Sequence, residues 1–117
     1  MAQDPDLTRV AAAVRDWARK KEDLQCVWFF GSRVKGSHRP DSDLDIALGF
    51  GLDDNESFNL WWDLSARWKE ELALIVPHKV QLELLDGQTP RVRTFVREAS
   101  LLVFERSGCE CRSRLLD

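Results

Sequence analysis

Residues 31–45 read GSRVKGSHRPDSDLD and join two stretches that each have the pattern of a β-strand. The stretch before them, Cys26–Phe30, is an unbroken apolar run that ends at a glycine, which is typical of a buried strand. At the other end, apolar residues at 44, 46 and 48 alternate with residues 43, 45 and 47, the two-residue period of a strand. The polar residues between these runs are rich in Gly, Ser and Pro and predict a connecting loop.

The two aspartates that end this segment predict a metal site. Asp43 and Asp45 are two residues apart on a strand, so their side chains lie on the same face, separated by roughly 6.5–7 Å along the backbone. Two neighbouring negative charges repel, and a divalent cation is the natural compensation. Mg²⁺ prefers one or two carboxylates together with substrate phosphates. We therefore expect magnesium at this strand, which Leu44 and Ile46 anchor in the core.

The beginning of the segment predicts a phosphate site. A strand that ends at Gly31-Ser32 presents backbone N–H groups and a hydroxyl, and glycine permits close approach of the backbone to an anion. Arg33 and Lys35 add positive charge beside the same loop. Exposed basic residues are equally often plain solvated surface, so both interpretations of these two side chains stay open. Phosphoryl transfer requires mainly positioning and charge neutralisation, and this segment offers groups for both.

The rest of the chain alternates helix and strand patterns. Asp4-Pro5 is typical of a helix start, a second helix is predicted from near Asn55 to about Leu74, and Thr89-Pro90 predicts another. Apolar alternation from residue 80 to 84 and the run at 101–104 predict two further strands. This order predicts one α/β (α+β) domain over residues 1–105, a small mixed β-sheet with helices packed on it. Residues 106–117 are predicted to be a polar C-terminal tail.

Three tryptophans fall on the second predicted helix. Trp61 and Trp68 are seven residues apart and are predicted to lie in the core. Trp62 is off that stripe; we expect it to pack at the rim of the core, and the alternative is an exposed anchor for a partner.

Composition excludes several classes of protein. The net charge of −3 and the pI near 5.4 give no basic surplus, so binding to duplex DNA is not expected. No apolar run approaches the roughly 18–20 residues of a membrane span, and no secretory signal is visible, so we expect a cytoplasmic protein with no membrane partner. Cys26, Cys109 and Cys111 are predicted to be reduced. The two cysteines at 109 and 111 lack the other two ligands that a zinc site needs.

Gly31-Ser32, ten intervening residues and then Asp43-x-Asp45 resemble the signature of the DNA-polymerase-beta-like nucleotidyltransferases. The small size and the order of elements are similar to the minimal nucleotidyltransferase (MNT) branch, over about residues 5–105. The resemblance implies the polymerase-beta-like fold, ATP as substrate and two Mg²⁺ ions held by Asp43 and Asp45. It also implies that Ser32 and the backbone of Gly31 contact the triphosphate, with Arg33 and Lys35 steadying its charge.

Members of the MNT branch are often antitoxins paired with a helical HEPN-type toxin, and some transfer AMP from ATP to a toxin tyrosine. The resemblance therefore implies a toxin partner of this kind. The present chain contains no tyrosine, so a tyrosine acceptor would have to belong to another molecule.

One position departs from the family pattern. The resemblance places a third carboxylate on the next core strand, where this chain has Gln81, and an amide can neither take a proton from a nucleophile nor carry charge for a metal. Glu83 lies two residues further on and faces the same side of the strand. Either Glu83 completes a catalytic and metal-binding set with Asp43 and Asp45, or the chain is a catalytically weak antitoxin that binds nucleotide and acts by contact. A solvent-facing structural role for Glu83 is equally open.

Overall fold

The computed structural model describes residues 5–36, 43–85 and 90–106. Within them the elements follow the order α1 (Pro5–Arg19), β1 (Cys26–Phe30), α2 (Ser32–Lys35), β2 (Leu44–Gly49), α3 (Asp54–Ile75), β3 (Val80–Leu84), α4 (Pro90–Glu98) and β4 (Ser100–Glu105). The predicted α/β class is confirmed. The predicted strands are present, and α3 is longer by one residue at each end than the apolar spacing indicated.

The described strands form one mixed sheet in the order β3-β2-β1-β4. Strands β1 and β2 are antiparallel, and their register places Phe30 opposite Asp45. Strands β2 and β3 are parallel, with Asp45 beside Gln81. Parallel neighbours need a crossover connection, and α3, with 22 residues, provides it. The pairing of β2 with β3 thus brings residues from distant parts of the chain side by side.

The two faces of the sheet are covered differently. The inward residues Leu44, Ile46 and Leu48 are completely buried in the larger core cluster, which also contains side chains of α1 and α3. The opposite face carries a smaller cluster in which Trp28, Phe30 and Ala47 meet residues of α4. Asp45 belongs to this second face because strand side chains alternate. A charged group therefore projects toward the more thinly covered side of the sheet.

Helix α3 begins at a capped position. The Asp53 carboxylate accepts a hydrogen bond from the backbone N–H of Glu56 at 2.8 Å, which satisfies one of the otherwise unpaired N–H groups of the first turn. The residue that caps the other end of the helix is Val76, which precedes Pro77. Its backbone is extended, as expected for a residue before proline.

The tryptophans of α3 have three different environments. Trp68 is buried and packs edge-on against Trp17, with ring centroids 5.5 Å apart. Trp61 is partly buried against the same core, so the predicted core positions of both are confirmed. Trp62 is 76% exposed, and the expectation that it packs at the rim of the core is wrong. Successive helical residues are about 100° apart, and this step turns Trp62 away from the domain.

Arg106, the last described residue, is hydrogen-bonded to the segment that precedes β1. Its guanidinium donates hydrogen bonds to the backbone carbonyls of Leu24 (3.1 Å) and Lys21 (3.0 Å), and its own N–H donates to the carbonyl of Gln25 (2.8 Å). The boundary at residues 105–106 stays a prediction. Asp4 and Thr89 of the predicted helix starts and residues 107–117 of the predicted tail, with its two cysteines, lie outside the described residues. Among the described helices, none combines the length and the apolar character needed to cross a membrane.

Candidate functional site

A cavity of about 320 Å³ opens on the α4 face of the sheet, where β1, β2 and β3 approach one another. Its lining includes Phe30, Gly31, Lys35, Asp45, Gln81, Glu83, Val92 and Phe95. The aromatic and aliphatic side chains come from the end of β1 and from α4, and the ionisable and amide groups come from β2, β3 and α2. A cavity with an apolar wall and a few convergent polar groups is typical of a small-molecule site.

Gly31 lies against the Asp45 carboxylate at the mouth of this cavity. Its backbone angles are φ 85° and ψ −159°, a region that essentially only glycine adopts. A Cβ atom added at this position would overlap the Asp45 Oδ2 atom. Phe30, the residue before it, pairs with Asp45 across the β1–β2 ladder, so the strand register enforces the contact. The glycine is therefore required both by its conformation and by the neighbouring carboxylate.

The Asp45 carboxyl is the electrostatically perturbed group of the site. Partial burial raises its pKa above the ordinary value, and the negative charges of Asp43 and Glu83 raise the pKa further. The carboxylates of β2 and β3 thus act on one another even though they come from separate strands. A cation placed among them would offset both the desolvation and the repulsion.

Strand β3 contributes two residues to the cavity. Gln81 is the register neighbour of Asp45, and Glu83 is the neighbour of Ala47, one step further along the same face. The side-chain amide Nε2 of Gln81 lies 3.5 Å from Glu83 Oε1, at the limit of hydrogen bonding, and both residues line the cavity. The structure therefore brings the amide closer to Asp45 in register and keeps the carboxylate within electrostatic reach.

The expected phosphate-binding residues occupy different places. Gly31 and Lys35 line the cavity, and Lys35 Nζ lies 3.8 Å from Glu98 Oε2 of α4 in a half-exposed ion pair. Ser32 begins the short helix α2 and is half-buried, but it is not among the lining residues. Arg33 is only 3% exposed and does not line the cavity either. Its position gives no support to the predicted contact between Arg33 and phosphate.

The oxygen donors of the site fit Mg²⁺ only when substrate oxygens are counted with them. Asp43 is half-buried just before β2 and does not line the cavity, although its charge reaches Asp45. In residues 5–36, 43–85 and 90–106, no three His, Cys, Asp or Glu side chains form a group that could hold a metal ion. Asp43, Asp45 and Glu83 are thus not gathered into one ligand cluster. Two carboxylates plus phosphate oxygens remain a suitable donor set for this hard cation.

The apolar wall of the cavity is a feature that the sequence patterns did not predict. Phe30 and Phe95 stack with ring centroids 6.4 Å apart, and Val92 is buried beside them. The apolar spacing of residues 92, 95 and 96 was the available signal, because it marks one side of α4. That spacing does not reveal which face of the sheet the helix covers.

Comparison with known proteins agrees with this arrangement. The family model described as Polymerase beta, Nucleotidyltransferase matches residues 13–108, and the chain belongs to this nucleotidyltransferase family. The resemblance noted in the sequence is thereby confirmed at the level of the family. No curated protein sequence matches the chain at a significant level.

Several solved structures share the fold. A toxin–antitoxin complex with AMP-PNP is similar over 91% of this chain and 83% of that chain, with 18% sequence identity and a TM-score of 0.57. A second structure contains the tri-AMPylated Shewanella oneidensis HEPN toxin in complex with MNT antitoxin. Its matching chain is 17% identical, with a TM-score of 0.59 over 93% of this chain and 82% of that chain. These identities are low, so the similarity establishes a common fold.

Replacing Gly31 by Ala tests the contact with Asp45. We expect a loss of about 1–3 kcal/mol in the free energy of unfolding from the backbone conformation alone, because only glycine tolerates it. Displacement of the Asp45 carboxylate should add to that loss. Denaturant unfolding of the variant measures the effect, and Gly36→Ala is the matched control, since Gly36 has φ 82° and ψ 8° in the ordinary left-handed region. Equal losses in the two variants would contradict a special constraint at Gly31.

Replacing Asp45 by Asn tests whether the ionised Asp45 carboxylate lowers the stability of the fold. A carboxyl whose pKa is raised on folding favours the folded state when it is protonated, and this contribution is lost as the pH rises through the folded-state pKa. At neutral pH the Asp45→Asn protein should therefore melt at a higher temperature than the wild type, and the difference should vanish below about pH 4. Thermal melts from pH 3 to pH 8 measure this. The exposed Asp23→Asn serves as control, and a gain at pH 7 that persists unchanged at pH 3 would contradict the explanation.

Proposed function

We propose that this chain is a metal-dependent nucleotidyltransferase that transfers AMP from ATP to a partner protein, as the antitoxin of a HEPN/MNT-type toxin–antitoxin pair. The observation that carries the proposal is the Asp45 carboxylate held against the Gly31 backbone, with the charges of Asp43 and Glu83 acting on it. Family membership supports the reaction class. The toxin–antitoxin complexes that share the fold, one with AMP-PNP and one with an AMPylated toxin, support the nucleotide and the partner.

The polar side of the cavity is assigned to the triphosphate. The backbone of Gly31 and the Ser32 hydroxyl, at the first residue of α2, are the proposed phosphate contacts. Lys35 exchanges its long, half-exposed contact with Glu98 for a phosphate oxygen, an exchange that costs little because exposed ion pairs contribute about 0–1 kcal/mol.

Asp43 and Asp45 are the proposed ligands of Mg²⁺, with two ions expected in the presence of ATP. When bound, magnesium supplies neutralisation of the charge that develops on the phosphates. The raised pKa of Asp45 describes a carboxylate whose ionised form is disfavoured until such a charge is present. Asp45 thus contributes affinity for the metal–nucleotide complex at the expense of stability without it.

The reaction itself is a single displacement at phosphorus. The acceptor hydroxyl oxygen bonds to the α-phosphorus of ATP, the bond between that phosphorus and the bridging oxygen breaks, and pyrophosphate leaves. Glu83 is the proposed acceptor of the hydroxyl proton, since its carboxylate lines the cavity and is ionisable. Gln81 acts as a positioning residue that donates to Glu83 Oε1. The acceptor belongs to another molecule if it is a tyrosine, because this chain has none.

A second candidate function rests on Gln81. An amide occupies the position directly beside Asp45 on the parallel strand, where it cannot take up a proton or bind a metal as an anion. In this case the chain is a nucleotide-binding antitoxin with little turnover that neutralises the toxin by contact. Isothermal titration with ATP and Mg²⁺, together with transfer of radiolabelled AMP to the purified product of the adjacent gene, separates the two functions. Binding of ATP without transfer of AMP favours the second function, neutralisation of the toxin by contact.

Asp43→Asn is expected to reduce AMP transfer by about a thousandfold or more, because a metal-binding carboxylate contributes several kcal/mol to charge stabilisation. The fold should be retained, since Asp43 is half-buried outside the core clusters. The measurement is label transfer from ATP to the partner, with a melting curve of the variant. The control is Asp23→Asn. Undiminished transfer by Asp43→Asn would remove Asp43 from the mechanism.

Glu83→Gln separates the catalytic function from the contact function. If Glu83 accepts the proton, the substitution should lower the rate of transfer by about 10²- to 10⁴-fold and leave ATP affinity nearly unchanged. Gln81→Ala is the matched variant and should have a smaller effect, because it removes only the amide that positions Glu83. Transfer that is equally slow in wild type and Glu83→Gln would favour the contact function.

A further inference from the structure

The outward side of α3 carries two exposed aromatic side chains that stack on each other. Phe58 is 54% exposed and Trp62 is 76% exposed, and their rings lie 6.3 Å apart at an angle of 24°. They are one helical turn apart, and the helix is anchored to the core from its other side by Trp68 and Leu72. Large aromatics with few rotatable bonds lose little conformational entropy on binding, and they are the commonest anchors of protein interfaces.

Small residues continue the same line toward the end of the helix. At about 100° per residue, Ala66 and Ala73 fall on the side of Phe58 and Trp62, and both are exposed. Lys69 stands between the two alanines on this side of the helix, so the apolar part of the surface is the aromatic pair with Ala66 beside it. We call the line of Phe58, Trp62, Ala66 and Ala73 the α3 stripe. A second helix laid along it would meet two aromatic anchors and then the small side chain of Ala66.

An acidic row borders the α3 stripe on one side. Glu56, Asp63 and Glu70 recur every seven residues and are all exposed, so they form a line along the helix. Arg67 lies beyond this row, and Lys69 lies within the stripe itself, between its two alanines. The order across the surface is thus acidic row and then the stripe with its aromatic pair. A partner helix of complementary pattern would place Lys or Arg against the acidic row.

We propose that the α3 stripe binds an amphipathic helix of the partner protein, with an apolar line over Phe58 and Trp62 and basic residues facing the acidic row. This inference rests on the proposed function, which makes the partner the toxin. A second copy of this chain fits less well, because antiparallel pairing of two α3 helices would set the acidic row of each against that of the other.

The position of α3 gives the docking surface a functional consequence. Helix α3 packs on the face of the sheet that holds Leu44 and Ile46, whereas Asp45 and the cavity are on the opposite face. A helix bound along α3 leaves the cavity accessible. Partner binding and nucleotide binding should therefore be separable by mutation.

The test is isothermal titration of the purified adjacent-gene product into the wild type, Phe58→Ala, Trp62→Ala and the double variant. Each single substitution should raise the Kd by about 30-fold, which is the effect of losing a strong interface anchor. The double variant should raise the Kd further. Arg9→Ala is the control and should leave the Kd unchanged, because Arg9 is exposed on α1 and outside α3. Melting temperature and ATP affinity should stay at the wild-type values in all variants.

A charge reversal tests the acidic row. Asp63→Lys should weaken binding of the same partner by about tenfold at low salt, and the difference from wild type should shrink as the salt concentration rises. Asp23→Lys, an exposed acid outside α3, is the control and should leave the Kd unchanged.

The outcomes distinguish the docking inference from the proposed function. An unchanged Kd in the double variant, with AMP transfer intact, overturns the α3 surface and leaves the proposed function standing. Absence of both binding and transfer with the wild type overturns both. Concentration-dependent dimerisation of the chain alone, measured by light scattering and abolished in Trp62→Ala, makes a second copy the occupant and overturns the proposed partner helix.

Discussion

The contact between the Gly31 backbone and the Asp45 carboxylate is the constraint on which the site depends. The antiparallel register of β1 and β2 places Phe30 opposite Asp45, so the residue after Phe30 must pass over the carboxylate. Any side chain there would collide with it, and the conformation of Gly31 is one that other residues avoid. The close approach also directs the chain into α2, whose first residues are the proposed phosphate contacts. One glycine thereby joins the end of β1 to the acidic side of β2.

The unequal covering of the sheet explains why charge can be tolerated there. Helices α1 and α3 bury one face of β2 completely, and this packing stabilises the strand without help from its other side. On that other side α4 contributes Val92 and Phe95 but leaves Asp45, Gln81 and Glu83 around a cavity. Burial and the charges of Asp43 and Glu83 raise the pKa of Asp45, so the ionised form of this carboxyl is disfavoured. This is the usual relation between a functional site and the stability of the scaffold that supports it.

The parallel pairing of β2 and β3 decides the chemistry that the site can perform. It sets an amide beside Asp45 and a carboxylate one step beyond, and the two candidate functions differ in whether that carboxylate takes up a proton from an acceptor. Helix α3 both makes this pairing possible, as the crossover, and carries exposed aromatics on its outer side. The same element thus connects the arrangement of the site with the surface proposed to hold a partner.

Local patterns were sufficient to predict the strands, the three longer helices and the family, because alternation, helical spacing and turn residues are all short-range signals. They could not predict the burial of Arg33, the exposure of Trp62 or the apolar wall made by Phe95, since each depends on which face of an element meets the core. The neighbours of Asp45 are likewise a matter of register between strands separated by a long helix. Long-range pairing and burial are properties of the assembled chain, and the tertiary structure alone determines them.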